Sequence, residues 1–415
     1  MSLTIDRGLR LIRGNIETLF AIANFGASSI FWLALAFLIP AARYGQMMTL
    51  QAAVFLIVTA LTFRTHDLVF FLVRNRGQGI DQAFRIGFAI EAVAAVVATL
   101  VCAAVAATVW PMPGATPTGA ALLALVAGIG GAQGAAVAKL RYLVRGRSVM
   151  LADAACMVGW IAAGLTALAL RNASLLTLLT VGTVPNALRT VALLAGVRRH
   201  RGVLDSAPLA SGWADRGAII RFLGGAQLTN FLKNGSVSIE TMILAAFCPP
   251  TAVAMYRLAK STQGAASAAI NVEYQRSYSA LARADTHMAR LAAVQHLRRK
   301  SIRLCVALYP VSATFALAYA LHKPDIGLVT FQFVTLAAFV AFIPAAAQQG
   351  YMILLLQEGA HRTVNAAYIL SVGLLCTLSL TLLAVPTISI FLTALIASAV
   401  ARVWFLSVKA APLLS

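Results

Sequence analysis

Apolar runs of membrane-spanning length follow one another along nearly the whole chain of 415 residues. A helix needs about 20 mainly apolar residues to cross the hydrocarbon core of a bilayer. The sequence has twelve such runs, six before a polar linker at 200–216 and six after it: Thr18–Ile39, Met47–Phe63, Ile86–Trp110, Gly119–Ala138, Val149–Leu170, Ser174–Val197, Ile219–Phe247, Thr251–Tyr274, Ile302–Leu321, Ile326–Leu356, Val364–Val385 and Thr387–Val408. The pattern predicts an all-α membrane protein with an N-terminal six-helix bundle (1–199) and a C-terminal six-helix bundle (217–415).

Two of these runs carry polar residues on one helix face. In the seventh run the polar positions recur every three or four residues, at Gln227, Asn230, Asn234, Ser238 and Thr241. The eighth run repeats the pattern at Lys260, Gly264, Ser267, Asn271, Gln275 and Tyr278. Because lipid offers no hydrogen-bond partner, such faces predict a polar cavity inside the protein. Gln227, Asn230, Asn234 and Asn271 are the candidate cavity-lining amides.

Composition and charge agree with a membrane protein. The chain is 60% hydrophobic and 11% charged, with a mean hydropathy of +0.84. Its formal net charge of +20 comes from short basic clusters that flank the apolar runs, which is typical of cytoplasmic loops and not of nucleic-acid binding. With both termini in the cytoplasm, the outside segments hold only Arg43, Arg171 and Lys323. This distribution predicts that orientation.

Metal, disulfide and cofactor signals are weak. The five cysteines form no CxxC pair, and the six histidines form no HExxH motif. We therefore expect no cofactor and no metal. The segment "GIGGAQG" (Gly128–Gly134) resembles a dinucleotide-binding loop, but it lies inside an apolar run and follows no strand. Gly130 and Gly134 instead predict a close contact between helices.

The two halves share a weak internal repeat and a local resemblance to known proteins. At an offset of 212 residues, Tyr44 pairs with Tyr256, and Gln51 with Gln263. The segments "PAARYGQMMTLQ" (Pro40–Gln51) and "YRLAKSTQGAASAAINVEYQRSYSALARAD" (from Tyr256) resemble the Wzx-type polysaccharide and O-antigen flippases of the multidrug/oligosaccharidyl-lipid/polysaccharide (MOP) exporter superfamily. The matching positions are Ala254, Tyr256, Ala259, Tyr278, Ala282 and Arg283.

The resemblance implies a fold and a substrate. It implies two six-helix bundles in a V, as in MATE transporters, working by alternating access. The substrate would be a polyprenyl-pyrophosphate-linked oligosaccharide, moved from the inner to the outer leaflet of a bacterial inner membrane for surface polysaccharide or lipopolysaccharide synthesis. The chain lacks the thirteenth and fourteenth spans of the peptidoglycan-precursor flippases, which argues against that branch. The protein would act as a monomer, with glycan polymerases or glycosyltransferases as partners.

Cationic side chains inside the predicted spans suit a pyrophosphate. The candidates are Lys233, Lys260, Arg257 and Arg64. Three of them have an alternative interpretation. Lys233 could form a buried pair with Glu240, Arg257 could extend toward the nearby outer surface, and Arg64 could lock or gate the inner end of the second span.

Acidic side chains in spans are candidates for proton or sodium coupling. We select Glu240, Glu273 and Asp153. Asp153, like Glu91, could instead pair with a basic residue at a helix end, and Glu273 could pair with Arg276. The basic segment Arg276–Arg303 is expected to lie against anionic lipid on the cytoplasmic side.

Two other functions remain as alternatives. A cation-coupled drug or metabolite exporter of the same fold would need an acidic cavity, which Lys233 and Lys260 disfavour. A membrane glycosyltransferase or polymerase would need a large outside loop with acidic catalytic residues. Asp325 is the only plausible outside acid, so we predict that the protein is not an enzyme.

Overall fold

The computed structural model describes residues 20, 23–63, 65–108, 116–143, 145–199, 216–282, 286–323, 326–357 and 360–413. Within these ranges the chain is almost entirely helical and contains no strand, which confirms the predicted all-α class. Nine helical stretches in these ranges are long and apolar enough to cross a membrane, and two shorter apolar helices accompany them. The total of twelve spans and the cytoplasmic location of the termini stay predictions.

The chain forms two compact units. Unit one consists of Ala53–Asn230 with the described residues up to Phe31, and unit two of Phe231–Ser415 with Trp32–Ala52. The helices are α1 Ala23–Leu38, α2 Ala41–Leu61, α3 Thr65–Arg76, α4 Ile80–Thr108, α5 Pro117–Gly131, α6 Gly134–Tyr142, α7 Gly146–Ala169, α8 Leu175–Arg199, α9 Arg216–Asn234, α10 Ser236–Phe247, α11 Pro250–Ala282, α12 His287–His322, α13 Leu328–Ala347, α14 Gln349–Gln357, α15 His361–Ser379 and α16 Ile388–Ala410. The predicted bundles 1–199 and 217–415 stay a prediction.

Several predicted spans are broken or longer than hydropathy indicates. The fourth run is interrupted between α5 and α6 at Ala132 and Gln133, and the seventh between α9 and α10 at Gly235. The third run of the second half begins at His287 rather than Ile302. Its first turns are basic, so a hydropathy window excludes them although the backbone stays helical.

Each unit has its own apolar core. In unit one, α3, α4 and α6 pack through Leu68, Leu72, Ile86 and Ala138. In unit two, α12, α14 and α15 pack through Leu297, Ile353, Leu355, Val364 and Tyr368. Large apolar side chains also remain on the outer faces of the helices: Val93, Leu100, Val158, Ile161 and Leu165 are 63–66% exposed. Exposure of this kind suits a surface covered by lipid rather than water.

Close helix contacts at glycine confirm the packing interpretation of "GIGGAQG". A Cβ added at Gly130 would lie 2.9 Å from the Asn186 Cβ on α8. A Cβ added at Gly134 would lie 2.5 Å from the Thr65 Oγ1 on α3. Both positions therefore require glycine because a neighbouring helix occupies the space of a side chain.

Candidate functional site

The interior of unit two holds a small polar pocket, which we call the unit-two pocket. Five helices contribute to it: α10, α11, α13, α15 and α16. Its polar side chains are Ser236, Glu240, Lys260, Ser371, Ser398 and Arg402, and alanine, valine, leucine and isoleucine side chains complete the wall. The cavity has a volume of about 40 Å³. That space admits a few water molecules and no sugar ring, so a glycan would need a wider conformation of this unit.

Lys260 and Tyr256 both face Glu240. They lie four residues apart on α11 and therefore share a helix face. Lys260 Nζ is 3.3 Å from Glu240 Oε2, and the Tyr256 hydroxyl donates a hydrogen bond to the same oxygen. The side chains of Lys260 and Glu240 are 16% and 12% exposed. Glu240 thus pairs with Lys260 and not with Lys233, the partner considered from the sequence.

Arg402 on α16 is a pocket residue that sequence reasoning missed. In the structure its guanidinium carbon lies 4.9 Å from the ring centroid of Tyr368, a cation–π contact. The buried Nε of Arg402 has no hydrogen-bond partner among the described residues. The signal that could have found it is Ser398, four residues earlier on the same helix, which makes a short polar stripe with Arg402.

Arg257 lies in unit two near the start of α11, one residue after Tyr256. Its Nη2 donates to Gln51 Oε1 at 2.8 Å. Its buried Nε has no hydrogen-bond partner among the described residues. The guanidinium is therefore held by a side chain of α2, which the alternative of an outward-reaching Arg257 did not anticipate.

The segments that carry the family resemblance meet at this point of unit two. Tyr44 and Tyr256 are fully buried. A Cβ added at Gly45 would lie 1.8 Å from the Pro250 carbonyl oxygen, so the backbones of α2 and α11 are in direct contact there. The Tyr-Gly pair of the "PAARYGQMMTLQ" segment therefore has a structural role: glycine lets the start of α11 approach α2.

Two amides of the polar stripe on α9 donate hydrogen bonds to backbone carbonyls at the end of α2. In unit one, Gln227 Nε2 donates to the carbonyl oxygens of Thr59 and Ala60, at 3.0 and 2.7 Å, and Asn230 Nδ2 donates to Thr62 O at 3.2 Å. These carbonyls lie in the last turn of α2 or directly after it, where helical hydrogen bonding stops. The two amides therefore satisfy a helix end, and their contact with an aqueous cavity stays a prediction.

Lys233 and Asn234 occupy the last turn of α9, just before the break at Gly235. Both side chains are exposed. Lys233 Nζ lies 5.5 Å from the ring centroid of Tyr274 on α11. A broken helix with exposed polar groups is a common way for transporters to present a binding surface.

Unit one contains a separate polar cluster at the break between α5 and α6. Arg189 Nε donates to Asp153 Oδ1 at 2.6 Å, and its Nη1 donates to Gln133 in the break itself. Glu91 Oε1 accepts from the Thr65 hydroxyl and, at 3.1 Å, from the Ala135 amide at the start of α6. Asp153 is thus held by an arginine, whereas the carboxylate of Glu91 is held by neutral donors.

Three predicted site residues lie outside what the structure describes. Arg64 falls in the gap between α2 and α3. Asn271 and Glu273 belong to the helical backbone of α11, but their side chains are outside the described part. Their roles stay predictions.

Comparison with known proteins places the fold. No family profile matches the sequence, and no curated protein is significantly similar to it. A MATE-family multidrug resistance transporter of the MOP superfamily, in an outward-facing conformation, is similar in structure with a TM-score of 0.66 and 10% identity, over 96% of this chain and 95% of that one. The chain therefore shares the fold of that solved structure. This confirms the predicted MATE-like fold class.

Two further solved structures share this fold. A MOP-superfamily transporter from Pyrococcus furiosus, described as having a binding pocket of reverse polarity, matches with a TM-score of 0.65 and 12% identity, over 96% of this chain and 95% of that one. The lipid II flippase MurJ, in an inward closed conformation, matches with a TM-score of 0.57 and 11% identity, over 95% of this chain and 87% of that one. At these identities the likeness establishes the fold alone.

Proposed function

We propose that the protein is a membrane transporter that moves polyprenyl-pyrophosphate-linked oligosaccharides from the inner to the outer leaflet by alternating access. The observation that carries the proposal is the charge of the unit-two pocket. Among its described lining residues, Lys260 and Arg402 are cationic and Glu240 is the one carboxylate. A surplus of positive charge inside a membrane protein favours an anionic substrate group.

The arrangement suits a pyrophosphate in particular. Glu240 holds Lys260 in place at 3.3 Å, and a phosphate oxygen can replace that carboxylate as the partner of the ammonium group. Arg402 offers a planar guanidinium whose Nε lacks a hydrogen-bond partner among the described residues. A guanidinium can bind two phosphate oxygens side by side. Together the two cations would offset charge that is otherwise costly in a low-dielectric interior.

Two proteins of the same fold support the proposal of an anionic, lipid-linked substrate. The transporter from Pyrococcus furiosus is described as having a pocket of reverse polarity that suggests a different function. Pocket charge is therefore an informative criterion within the fold. MurJ is described as a lipid II flippase, so the fold accommodates transport of a lipid-linked molecule in at least one protein.

A cation-coupled drug or metabolite exporter is the second candidate. The observation in its favour is the pair of buried acids in unit one, Glu91 and Asp153, each 3% exposed. Asp153 is paired with Arg189, which reduces the negative charge available to a cationic drug. We therefore rank this function below the flippase.

Cells depleted of the protein provide the test. The cells are complemented at equal expression with the wild type, Lys260→Gln, Arg402→Gln or Lys409→Gln. Lys409 is the matched control because it is an exposed cation two turns beyond Arg402 on the same helix. We expect lipid-linked oligosaccharide to accumulate on the inner leaflet in cells that carry Lys260→Gln or Arg402→Gln. The wild type and Lys409→Gln should prevent this accumulation.

Other outcomes would contradict the proposal in distinct ways. If the lipid-linked pool stays normal and efflux of small cationic compounds falls, the exporter is the better account. If the lipid-linked oligosaccharide itself is lost, the protein acts in synthesis rather than transport.

A further inference from the structure

Unit one contains a larger cavity outside the polar cluster already described, which we call the unit-one groove. It lies between the start of α4 and the end of α8, with α6 beside them, and has a volume of about 740 Å³. The residues that matter are Phe84, Arg85, Phe88, Lys139, Leu194 and Arg198. We propose that this groove binds an anionic phospholipid of the cytoplasmic leaflet, with the headgroup phosphate between Arg85 and Arg198 and an acyl chain along the phenylalanines.

The wall of the groove has a built-in positive charge. Lys139 is the buried cation, with its side chain 4% exposed, and it forms an ion pair with Asp81. Its Nζ also lies 5.1 Å from the ring centroid of Phe84. Asp81 therefore compensates Lys139, which leaves the charges of Arg85 and Arg198 for a ligand. Two guanidinium groups that line one groove favour a phosphate, which can accept hydrogen bonds from both.

The groove also has an apolar wall. Phe84 and Phe88 stack with ring centroids 5.8 Å apart. Leu194 and Val191 of α8 complete this part of the wall, and Val191 is 58% exposed. A soluble anion would gain nothing from these side chains, whereas an acyl chain would bury them. The combination of arginines and phenylalanines therefore fits an amphiphile rather than a free phosphate.

The predicted position of the groove on the cytoplasmic side of the membrane also favours an anionic lipid. Arg85 and Arg198 belong to the basic clusters that the sequence assigns to the cytoplasmic side. The cytoplasmic leaflet holds the anionic lipids, and basic pockets between helices on that side bind their headgroups.

Unit two also has a basic cavity, which lies along one side of α12. The start of α12 carries a cavity of about 740 Å³ lined by Gln295, His296, Arg299, Lys300, Arg303 and Leu304. Both cavities therefore lie at the start of the third predicted span of a half. We base the proposal on the unit-one groove because it alone combines a buried cation with aromatic side chains among the described lining residues.

Lipid binding in the groove is independent of the transported substrate. A resident lipid would bind the purified protein whether the cargo is a lipid-linked glycan or a drug. Binding is therefore measured without transport, on the full-length protein in a zwitterionic detergent micelle, by native mass spectrometry during titration with dioleoyl phosphatidylglycerol. Dioleoyl phosphatidylcholine and glycerol phosphate serve as comparison ligands.

Two double variants separate the groove from general surface charge. Arg85→Gln with Arg198→Gln removes the two headgroup cations. Arg145→Gln with Arg147→Gln removes two exposed cations of the same basic region that do not line the groove, and is the matched control. We expect the groove variant to bind phosphatidylglycerol about tenfold or more weakly, with the control unchanged. Val191→Gln, at an exposed position, should weaken binding without threatening the fold.

Three results would overturn the proposal. Equal binding of phosphatidylglycerol and phosphatidylcholine would exclude headgroup selectivity. Equal losses in the groove and control variants would mean that only overall charge matters. Effective competition by glycerol phosphate, with no effect of Val191→Gln, would identify a site for a soluble anion instead of a lipid.

Discussion

Lys260 and Tyr256 share one carboxylate oxygen, Oε2 of Glu240, at the centre of unit two. Both residues come from α11 and the acid from α10, so the contact joins the two helices that follow the break at Gly235. The carboxylate orients Lys260 in a pocket that also contains Arg402. A single acid with two cations leaves the pocket positively charged, and this charge is the basis of the proposed substrate class.

Substitutions of Lys260 and Glu240 should have non-additive effects on the free energy of unfolding. Lys260→Gln leaves a buried carboxylate without its ionic partner, and Glu240→Gln leaves a buried ammonium group. Each single change should cost on the order of 3 kcal/mol, because removing one partner of a buried pair is more costly than removing both. The double variant should recover much of that loss. Thermal unfolding in detergent compares the stability of the wild type, the two single variants and the double variant. Additive losses of stability would show that the two groups do not interact.

Gly45 should tolerate no side chain. A methyl group there would lie 1.8 Å from the Pro250 carbonyl oxygen, a backbone atom that moves only with the start of α11. Gly45→Ala should therefore lower the unfolding free energy by more than about 3 kcal/mol. Gly373→Ala, where no atom lies within 4 Å of the added carbon, is the control in the same unit. Equal melting temperatures for the two variants would refute the close approach of α2 and α11.

Alanine substitutions at Gly134 and Gly131, three residues apart, should differ in their effect on stability. A Cβ at Gly134 would lie 2.5 Å from Thr65 Oγ1 and 3.0 Å from Glu91 Oε1, so it would break their hydrogen bond. At Gly131 the nearest atom belongs to Thr62, at 3.5 Å. We expect Gly134→Ala to cost roughly 1–3 kcal/mol through overpacking and Gly131→Ala to cost less than 1. An equal decrease of melting temperature in the two variants would contradict this prediction.

Asp153 and Arg189 should respond unequally to substitution. Asp153→Asn leaves Arg189 with its hydrogen bond to Gln133. Arg189→Leu leaves Asp153, whose side chain is 5% exposed, without its ionic partner. The arginine variant should therefore be the less stable by roughly 1–3 kcal/mol, the cost of an unsatisfied buried group. Chemical unfolding curves provide the comparison, and a larger loss in the aspartate variant would mean that Asp153 has a further role.

Hydropathy predicted the fold class because lipid imposes a length and an apolar surface on every spanning helix. It could not predict the helix breaks, since Gly235 and the Ala132–Gln133 step look like ordinary positions in an apolar run. It also could not pair Glu240 with Lys260, because that choice depends on how α10 and α11 face each other. Arg402 was missed because one cation near a helix end looks the same whether it points inward or toward the membrane surface.

The resemblance of the sequence to polysaccharide flippases gains a physical explanation. Within unit two, Gly45 of α2 approaches Pro250 of α11, Gln51 accepts a hydrogen bond from Arg257, and Tyr44 and Tyr256 are fully buried. These positions are therefore constrained by packing, which explains why a short pattern can mark the fold. Packing does not reveal the cargo, so the substrate has to be tested directly.

The most direct test of the proposed function is transport by the purified protein in proteoliposomes. A fluorescent polyprenyl-pyrophosphate disaccharide is placed in one leaflet, and its appearance in the other is followed by chemical quenching. The wild type and Lys409→Gln should move the lipid, and Arg402→Gln should slow it by about tenfold, equivalent to a loss of ~1.4 kcal/mol. If none of these proteins moves the lipid while the wild type exports a lipophilic cation, the cationic pocket is not a pyrophosphate site and the flippase account is wrong.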